Sequence, residues 1–184
     1  MLNHDVKIGK LDYCQITGSK NLFEAIDLGF QPPCGTLLTK ETLRNPETYY
    51  PLRLMICPES GLGQLDYVVG NKLCFPANYP YRPGISVPLI EHMEQLANDI
   101  ISKNKLEPSS LIVDIGSNDG TLLSFFKKGG MKVLGIEPTN MAKVANEDRV
   151  KTIQRFFAKA VAKSIVKMYG QAKIITMTNV FAHM

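Results

Sequence analysis

The feature that most constrains the fold is residues 111–120, which read Leu-Ile-Val-Asp-Ile-Gly-Ser-Asn-Asp-Gly. An apolar run containing Asp114 leads directly into a turn with two glycines. A second apolar run, residues 133–136, ends in another acid, Glu137. A strand, a tight turn, a helix and a second strand that ends in an acid are typical of a parallel sheet that binds an adenosine-containing ligand. The sequence therefore predicts a nucleoside-cofactor site in this segment.

Individual residues of the turn have the properties that such a site needs. Gly116 and Gly120 carry no Cβ, so the backbone can approach a ligand closely. Glu137 can accept hydrogen bonds from the hydroxyl groups of a ribose. The alternative is an ordinary turn between a strand and a helix, in which Asn118 or Asp119 only caps the helix.

The spacing of the glycines distinguishes two classes of cofactor. A dinucleotide site has the pattern Gly-x-Gly-x-x-Gly, in which the second glycine admits the pyrophosphate and the third packs the helix against the strand. The corresponding positions here are Gly116, Asn118 and Thr121, so two of the three glycines are missing. The pattern that is present, Asp-x-Gly-x-Asn-x-Gly from Asp114, resembles motif I of class I S-adenosylmethionine (SAM) methyltransferases. SAM is therefore favoured over NAD.

The resemblance to motif I implies a role for each part of the turn. The loop backbone would face the methionine part of SAM, with Asp114 and Asp119 near its polar tail and Glu137 at the ribose. Asn179, at the end of a later strand, would border the methionine group. The residues expected to bind the cofactor are Asp114, Gly116, Ser117, Asn118, Asp119, Gly120, Glu137, Pro138 and Asn179.

The whole chain predicts an α/β fold preceded by a small module. Residues 1–85 are rich in proline, glycine and tyrosine, and predict an irregular module with short strands. Apolar residues spaced by three and four predict a helix over 86–104, within a linking segment 86–105. Residues 106–184 alternate between strands and helices, which predicts a parallel sheet with right-handed crossovers. The predicted strands are 111–115, 132–136, 150–154 and 173–178, and the predicted helices are 119–128, 139–147 and 157–169.

The class I resemblance also implies how this sheet is ordered. Such a Rossmann-like sheet has seven strands in the order 3-2-1-4-5-7-6, and this chain predicts strands 3-2-1-4. The fourth strand would then be an exposed apolar edge, which pairs readily with another chain. We therefore expect a truncated Rossmann-like domain, and a protein partner or a missing carboxy-terminal half that covers the edge.

Composition excludes several classes of partner. The 184 residues carry a net charge of +4, and the lysines are scattered rather than arranged in a basic stripe with aromatic residues, so no nucleic-acid partner is predicted. No apolar run approaches 18 residues and the first residues show no signal-peptide pattern, which predicts a cytoplasmic protein without a membrane partner. In that compartment the four cysteines are expected to be thiols or metal ligands.

Several stretches together resemble the sugar C-methyltransferase family, and they extend over nearly the whole chain. Besides residues 114–120, they are Asp-Leu-Gly-Phe-Gln-Pro at 27–32, Tyr-Pro-Leu at 50–52, Gly-Gln-Leu at 63–65, Tyr-Pro-Tyr at 79–81, Gly-Ile-Glu-Pro at 135–138 and Asn-Val-Phe-Ala-His at 179–183. Members of this family act on nucleotide-linked keto-deoxysugars. They combine a small zinc-binding module, a SAM-binding Rossmann domain and a further carboxy-terminal domain. The resemblance covers the amino-terminal half of such a protein.

The sequence departs from the family pattern at the zinc ligands. The family has two Cys-x-x-Cys pairs, whereas this chain has Cys14 followed by Thr17 and Cys57 followed by Ser60. A tetrahedral zinc site needs four ligands, and a hydroxyl is a poor one. Two interpretations remain open. Cys14 and Cys57 could bind zinc with Cys34 and Cys74 as substitutes, or they are buried thiols without a metal.

The resemblance further implies catalytic residues. Tyr79 and Tyr81 lie in the loop that approaches the sugar, where their phenols could bond the sugar or its phosphates. The alternative for them is packing beside prolines. His183 follows the fourth strand, where a neutral imidazole could orient the substrate or relay a proton.

The predicted function is SAM-dependent methyl transfer to the carbon beside a sugar ketone. In the family a base removes a proton there, and the resulting enolate carbon attacks the SAM methyl group in line. Residues that match the family's principal base would lie beyond residue 184, so we expect this chain alone to bind SAM without methyl transfer. The alternative is a non-catalytic SAM-binding fragment, or a half-subunit that works only with a partner chain.

Overall fold

The computed structural model describes residues 8–181, and the chain divides into two compact units, Met1–Pro76 and Ala77–Met184. The sequence predicted a division after residue 85. The structure groups residues 77–85 with the second unit, because their backbone bonds to it: Asn140 N donates to Ala77 O at 2.8 Å, and Gly84 N donates to Asp119 Oδ2 at 2.9 Å.

The first unit consists of short antiparallel strands, as its composition predicted. A two-stranded sheet pairs the first and last of its strands, and a three-stranded sheet has the order β2-β3-β4. Its elements are β1 (Gly9–Lys10), β2 (Phe23–Gln31), β3 (Tyr50–Ile56), β4 (Gly63–Leu65), β5 (Tyr67–Val68) and the single-turn helix α1 (Asn71–Cys74).

This unit has little aliphatic core. Among residues 8–76, the buried apolar side chains are Leu11, Cys14 and Cys57. Every residue of β2 is exposed. Arg53 donates to the largely buried Asp66 at 2.6 Å, an ion pair that joins β3 to the segment after β4. Polar and thiol contacts therefore contribute to holding this unit together, beside the half-buried apolar residues of β3.

The second unit is an α/β sheet with helices packed on it. A 3-10 turn, Pro83–Ile85, precedes a regular alternation of helices and strands. The elements are α2 (Val87–Lys103), β6 (Leu111–Ile115), α3 (Thr121–Lys128), β7 (Lys132–Ile136), α4 (Met141–Glu147), β8 (Thr152–Ile153), α5 (Lys159–Tyr169) and β9 (Ile174–Thr176).

The strands are all parallel and lie in the order β8-β7-β6-β9. This is the predicted order 3-2-1-4, so the mixed α/β fold with a four-stranded parallel sheet is confirmed. Strand β6 lies in the interior of the sheet, between β7 and β9. Parallel strands end at the same edge of a sheet, so the loops after β6, β7 and β9 lie at one edge.

Two apolar clusters pack on the sheet. Neighbouring residues of a strand point to opposite faces, and Ile112 belongs to one cluster while Val113 belongs to the other. The cluster of Ile112 contains Phe126 of α3 and Ala97 of α2, both fully buried. Helix α2 therefore packs in the core of the second unit. The cluster of Val113 contains Ile165 of α5.

The helices of residues 8–181 are all too short or too polar to cross a membrane.

Candidate functional site

The loop from β6 to α3 has left-handed backbone at every second residue. The φ angles of Gly116, Asn118 and Gly120 are +70°, +50° and +79°. Asparagine tolerates this conformation better than other residues with a Cβ. Asn118 therefore adopts the left-handed conformation at the second position of the glycine pattern, where a glycine would otherwise be expected.

Both glycines are also required by close packing. A Cβ on Gly116 would overlap the side chain of Val180, in the turn after β9. A Cβ on Gly120 would lie 2.9 Å from Val150 Cγ1 and 3.2 Å from the Cβ of Ala145. Gly120 thus lets the start of α3 approach α4 and the segment before β8, which fixes the loop tightly against the sheet.

Glu137 connects this loop to the end of the neighbouring strand. Its Oε2 accepts a hydrogen bond from Asn118 N at 3.0 Å, and its Oε1 accepts one from Thr139 N at 2.9 Å. The residue is only 5% exposed. A carboxylate offers about four acceptor positions, so about two remain for further donors. The acid that was predicted to bind a ribose therefore lies directly against the predicted cofactor loop.

Asp114 is a buried acid in the interior strand. Thr176 of β9 donates its hydroxyl to Asp114 Oδ1 at 2.7 Å. Burial raises the pKa of Asp114 to about 7, the Thr176 hydrogen bond opposes this increase, and the nearby charge of Glu137 adds to it. Asp114 consequently keeps its proton at pH values where an exposed aspartate is fully ionised.

This raised pKa makes stability depend on pH. Above about pH 4 the unfolded chain ionises Asp114 while the folded chain keeps the proton, so folding is progressively weakened up to about pH 7. Asp114→Asn removes this titration and keeps the acceptor for Thr176. The difference between the unfolding free energies of the variant and the wild type should therefore increase, in favour of the variant, by up to about 1 kcal/mol per pH unit between about pH 4 and pH 7. Urea unfolding of both proteins at several pH values measures the difference. Parallel pH profiles would contradict the assignment.

Asp119 is an anchor within the second unit. Its Oδ2 accepts hydrogen bonds from Gly84 N at 2.9 Å and from Arg82 Nε at 3.2 Å. Its Oδ1 accepts from Thr121 Oγ1 at 2.6 Å, at the start of α3. Both oxygens of this buried carboxylate thus have protein partners. Its predicted contact with the polar tail of SAM stays a prediction.

The segment that contains the two tyrosines is held beside the same loop. Asn118 donates its side-chain amide to Tyr81 O at 3.1 Å, next to the Arg82 and Gly84 contacts. A Cβ on Gly84 would lie 2.6 Å from Asp119 Oδ2, so a larger residue here would displace this carboxylate. Tyr79 is half-buried and the ring of Tyr81 is largely exposed. The structure therefore brings the predicted substrate segment and the predicted cofactor loop together.

Asp119→Asn tests this anchor. The amide nitrogen cannot accept a hydrogen bond, so either Arg82 and Gly84 at Oδ2 or Thr121 at Oδ1 lose their acceptor, and we expect about 2 kcal/mol of destabilisation in urea unfolding. The matched control is Asp148→Asn. Asp148 lies 3.8 Å from Arg82 and its side chain is 64% exposed, so its loss should change stability by less than about 0.5 kcal/mol. If the two substitutions had equal effects, the hydrogen bonds of Asp119 would contribute no more to stability than the exposed contact of Asp148.

The remaining predicted residues have different environments. Ser117 Oγ is buried against Gly135 of β7, and it has no hydrogen-bond partner within residues 8–181. Pro138 is half-buried. Asn179 is exposed, with a φ of +55°, in the turn after β9. His183 lies outside the described residues, so its predicted role stays a prediction.

The sequence analysis missed three residues of the site, Arg82, Gly84 and Thr176. Thr176 could have been found from the parallel register, in which it lies opposite Asp114. Arg82 and Gly84 bond to a residue about 35 positions later in the chain, and no local pattern indicates that contact.

The predicted metal positions come together in the first unit. Cys14 Sγ lies 3.2 Å from Ser60 Oγ, and Thr17 Oγ1 lies 3.8 Å from Cys57 Sγ. The hydrogen bond with Ser60 is the main cause that lowers the pKa of Cys14 below that of a free thiol. Residues 8–181 contain no group of three or more histidine, cysteine or acidic residues that could hold a metal, so Cys34 and Cys74 do not complete this site. Two thiols and two hydroxyls do not fit a tetrahedral zinc ion.

Comparison with known proteins gives two matches. Residues 14–75 match a family model described as "Putative zinc binding domain". Over 174 residues, or 94% of the chain, the sequence is 30% identical to the C-methyltransferase NovU of Streptomyces niveus. The chain spans 41% of that relative's length. These two matches confirm the resemblance that the sequence motifs indicated, to part of a C-methyltransferase.

Proposed function

We propose that the second unit binds SAM at the edge where β6 and β7 end, and that the chain supplies the cofactor-binding part of a nucleotide-sugar C-methyltransferase. One observation carries this proposal. Glu137, which directly follows β7, accepts a hydrogen bond from Asn118 in the glycine loop that follows β6. A nucleoside bound at this edge would meet the loop backbone and the ribose-binding acid together.

The geometry of the loop favours SAM over a dinucleotide. Its alternating left-handed residues, Gly116, Asn118 and Gly120, form a tight turn close to the sheet. A dinucleotide site needs a third glycine where helix and strand meet, and that position is Thr121, the first residue of α3. SAM has no pyrophosphate, so it does not need that approach. We therefore assign the sheet to the Rossmann-like class of SAM-binding sheets.

The proposed substrate is a keto-sugar linked to a nucleotide. The backbone beside Tyr79 and Tyr81 is held next to the cofactor loop through Asn118 and Asp119, which supports a role for these tyrosines in binding the sugar or its phosphates. SAM would supply a methyl group activated by its sulfonium. The chain's own residues would bind and align cofactor and sugar, since alignment of the reacting atoms contributes much of the rate of such transfers.

A second candidate function is SAM binding without turnover, in a half-subunit that acts with a partner chain. The observation in its favour is the edge strand β9. It pairs with β6 alone in the described sheet, and Ile175 is 59% exposed. An apolar edge strand of this kind can accept a further strand from another polypeptide.

One assay separates the candidates. The purified chain is incubated with SAM labelled in its methyl group and a nucleotide-linked keto-deoxysugar, and binding of S-adenosylhomocysteine is measured in parallel. Labelled sugar would establish an enzyme that is complete in this chain. Cofactor binding without labelled sugar would support the half-subunit. Absence of both from a folded chain would refute the proposed function.

A further inference from the structure

The first unit contains two loops with the same local structure. We call residues 14–18 the first knuckle and residues 57–61 the second knuckle; each has the order Cys-x-x-hydroxyl-Gly. In each knuckle the final glycine has positive φ, +74° at Gly18 and +71° at Gly61. Its N–H donates to the carbonyl oxygen of the first cysteine at 2.8 Å in both cases. This backbone turn presents the cysteine and the hydroxyl residue on the same side.

The two knuckles contact each other through crossed pairs of side chains. The thiol of Cys14 contacts the hydroxyl of Ser60, and the thiol of Cys57 contacts the hydroxyl of Thr17. Cys14 and Cys57 are both 0% exposed. Each knuckle therefore contributes one buried thiol and one hydroxyl, exposed at Thr17 and half-buried at Ser60, to a cluster that links loops about 40 residues apart in sequence.

The four side chains of this cluster occupy the positions of the ligands in a four-ligand metal site, but two of the four are not metal-binding groups. Zinc sites in proteins use thiolate, imidazole or carboxylate ligands, usually four of them in a structural site. Neutral hydroxyls donate and accept hydrogen bonds instead. With Thr17 and Ser60 at two of the four positions, only two ligands of the required kind remain.

Other contacts hold the knuckles without a metal. The buried Gln64 donates to Tyr13 O at 2.8 Å and accepts from Gln15 N at 3.0 Å, so β4 is bonded on both sides of Cys14. Ser19 Oγ donates to Glu59 Oε1 at 2.6 Å between the two knuckle segments. These hydrogen bonds therefore connect the two knuckles and β4 directly, in addition to the contacts of the thiols with the hydroxyls.

We infer that the first unit folds without zinc, because the crossed thiol–hydroxyl contacts connect the knuckles where a metal ion would otherwise do so. The residues that decide this are Thr17 and Ser60. Cysteine at both positions would complete a four-thiolate site on a backbone that already has the required turns. This inference is independent of the cofactor proposed for the second unit.

The first measurement is on the wild-type chain, purified in a reducing agent that does not bind metals. We expect less than about 0.1 zinc ion per chain, since two thiols do not make a structural zinc site. The midpoint of thermal unfolding should be the same with and without a chelator. Stoichiometric zinc, together with a lower midpoint in the chelator, would overturn the inference.

The second measurement is on the double variant T17C/S60C. It should bind about one zinc ion per chain, and the chelator should lower its unfolding midpoint or unfold the first unit. The matched control T36C/S102C adds two thiols at exposed positions outside the knuckles, and it should bind no zinc. A folded T17C/S60C variant that takes up no zinc would show that the knuckles do not form the proposed framework.

A third variant, T17V/S60A, keeps the test decisive if added cysteines prevent folding. It removes both hydroxyls and leaves the thiols. If the crossed contacts connect the knuckles, the unfolding midpoint of the first unit should fall by about 4 °C or more, with no change in zinc content. An unchanged midpoint would refute the role given to the hydroxyls.

Discussion

Replacing Glu137 with alanine is expected to weaken binding of S-adenosylhomocysteine by about 100-fold. Two hydrogen bonds from ribose hydroxyls to a buried carboxylate contribute about 1.5 kcal/mol each, and about 3 kcal/mol corresponds to a factor of about 100 in the dissociation constant. The substitution also removes the acceptor of Asn118 N, so part of the loss will reflect a less ordered loop. Calorimetric titration of wild type and variant measures the change.

Two further variants separate these contributions. Glu137→Gln keeps one acceptor and the shape of the side chain, and we expect an intermediate loss of affinity. Glu147→Ala removes an exposed acid at the end of α4, and affinity should be unchanged. A folded Glu137→Ala variant with wild-type affinity would show that this acid does not bind the cofactor.

Gly120→Ala is expected to destabilise the second unit by about 3 kcal/mol. About 1 kcal/mol comes from a Cβ in left-handed backbone, and overpacking contributes the rest, about 2 kcal/mol. The overpacking arises because the new Cβ would lie 2.9 Å from Val150 Cγ1, a buried side chain that has little room to move. The measurement is the unfolding free energy in urea.

Gly130→Ala is the matched control for this substitution. Gly130 also has a positive φ, +85°, but nothing lies within 4 Å of a Cβ placed there. It should therefore show only the backbone effect, about 1 kcal/mol. If the two substitutions lowered the unfolding free energy equally, the close packing at Gly120 would make no contribution to stability.

The arrangement of the second unit could be predicted because its signals are local. The apolar runs at 111–115 and 132–136 are long enough to be assigned as strands, and both are observed with these bounds. Helix α3 begins at Thr121 rather than at 119, because residues 116–120 form the left-handed loop instead of a first helical turn. The strand order was not a local signal: the resemblance to class I methyltransferases implied it, and the structure has that order.

The contacts around Asp119 could not be predicted, because they join distant parts of the chain. The sequence showed an acid in a cofactor loop, and its partners Arg82 and Gly84 lie in a segment assigned to a different module. A spacing pattern identifies residues that share a turn. It does not identify which other segment supplies their hydrogen bonds.

The cysteine loops show the same limit in the first unit. The sequence located both loops and showed that one ligand of each pair is a hydroxyl. It left open whether Cys34 and Cys74 replace the missing ligands. Among the described residues neither cysteine joins Cys14 and Cys57 in a group that could hold a metal. The contacts of Cys14 with Ser60 and of Cys57 with Thr17 depend on how two distant loops meet, which the sequence does not show.

The most direct test of the central claim is calorimetric titration of the purified wild-type chain with S-adenosylhomocysteine, and with NADH under the same conditions. The account predicts saturable binding of S-adenosylhomocysteine near one molecule per chain and no binding of NADH. Binding of NADH alone, or of neither compound by a folded chain, would contradict the assignment of the loop at residues 116–120 and Glu137 as a SAM site.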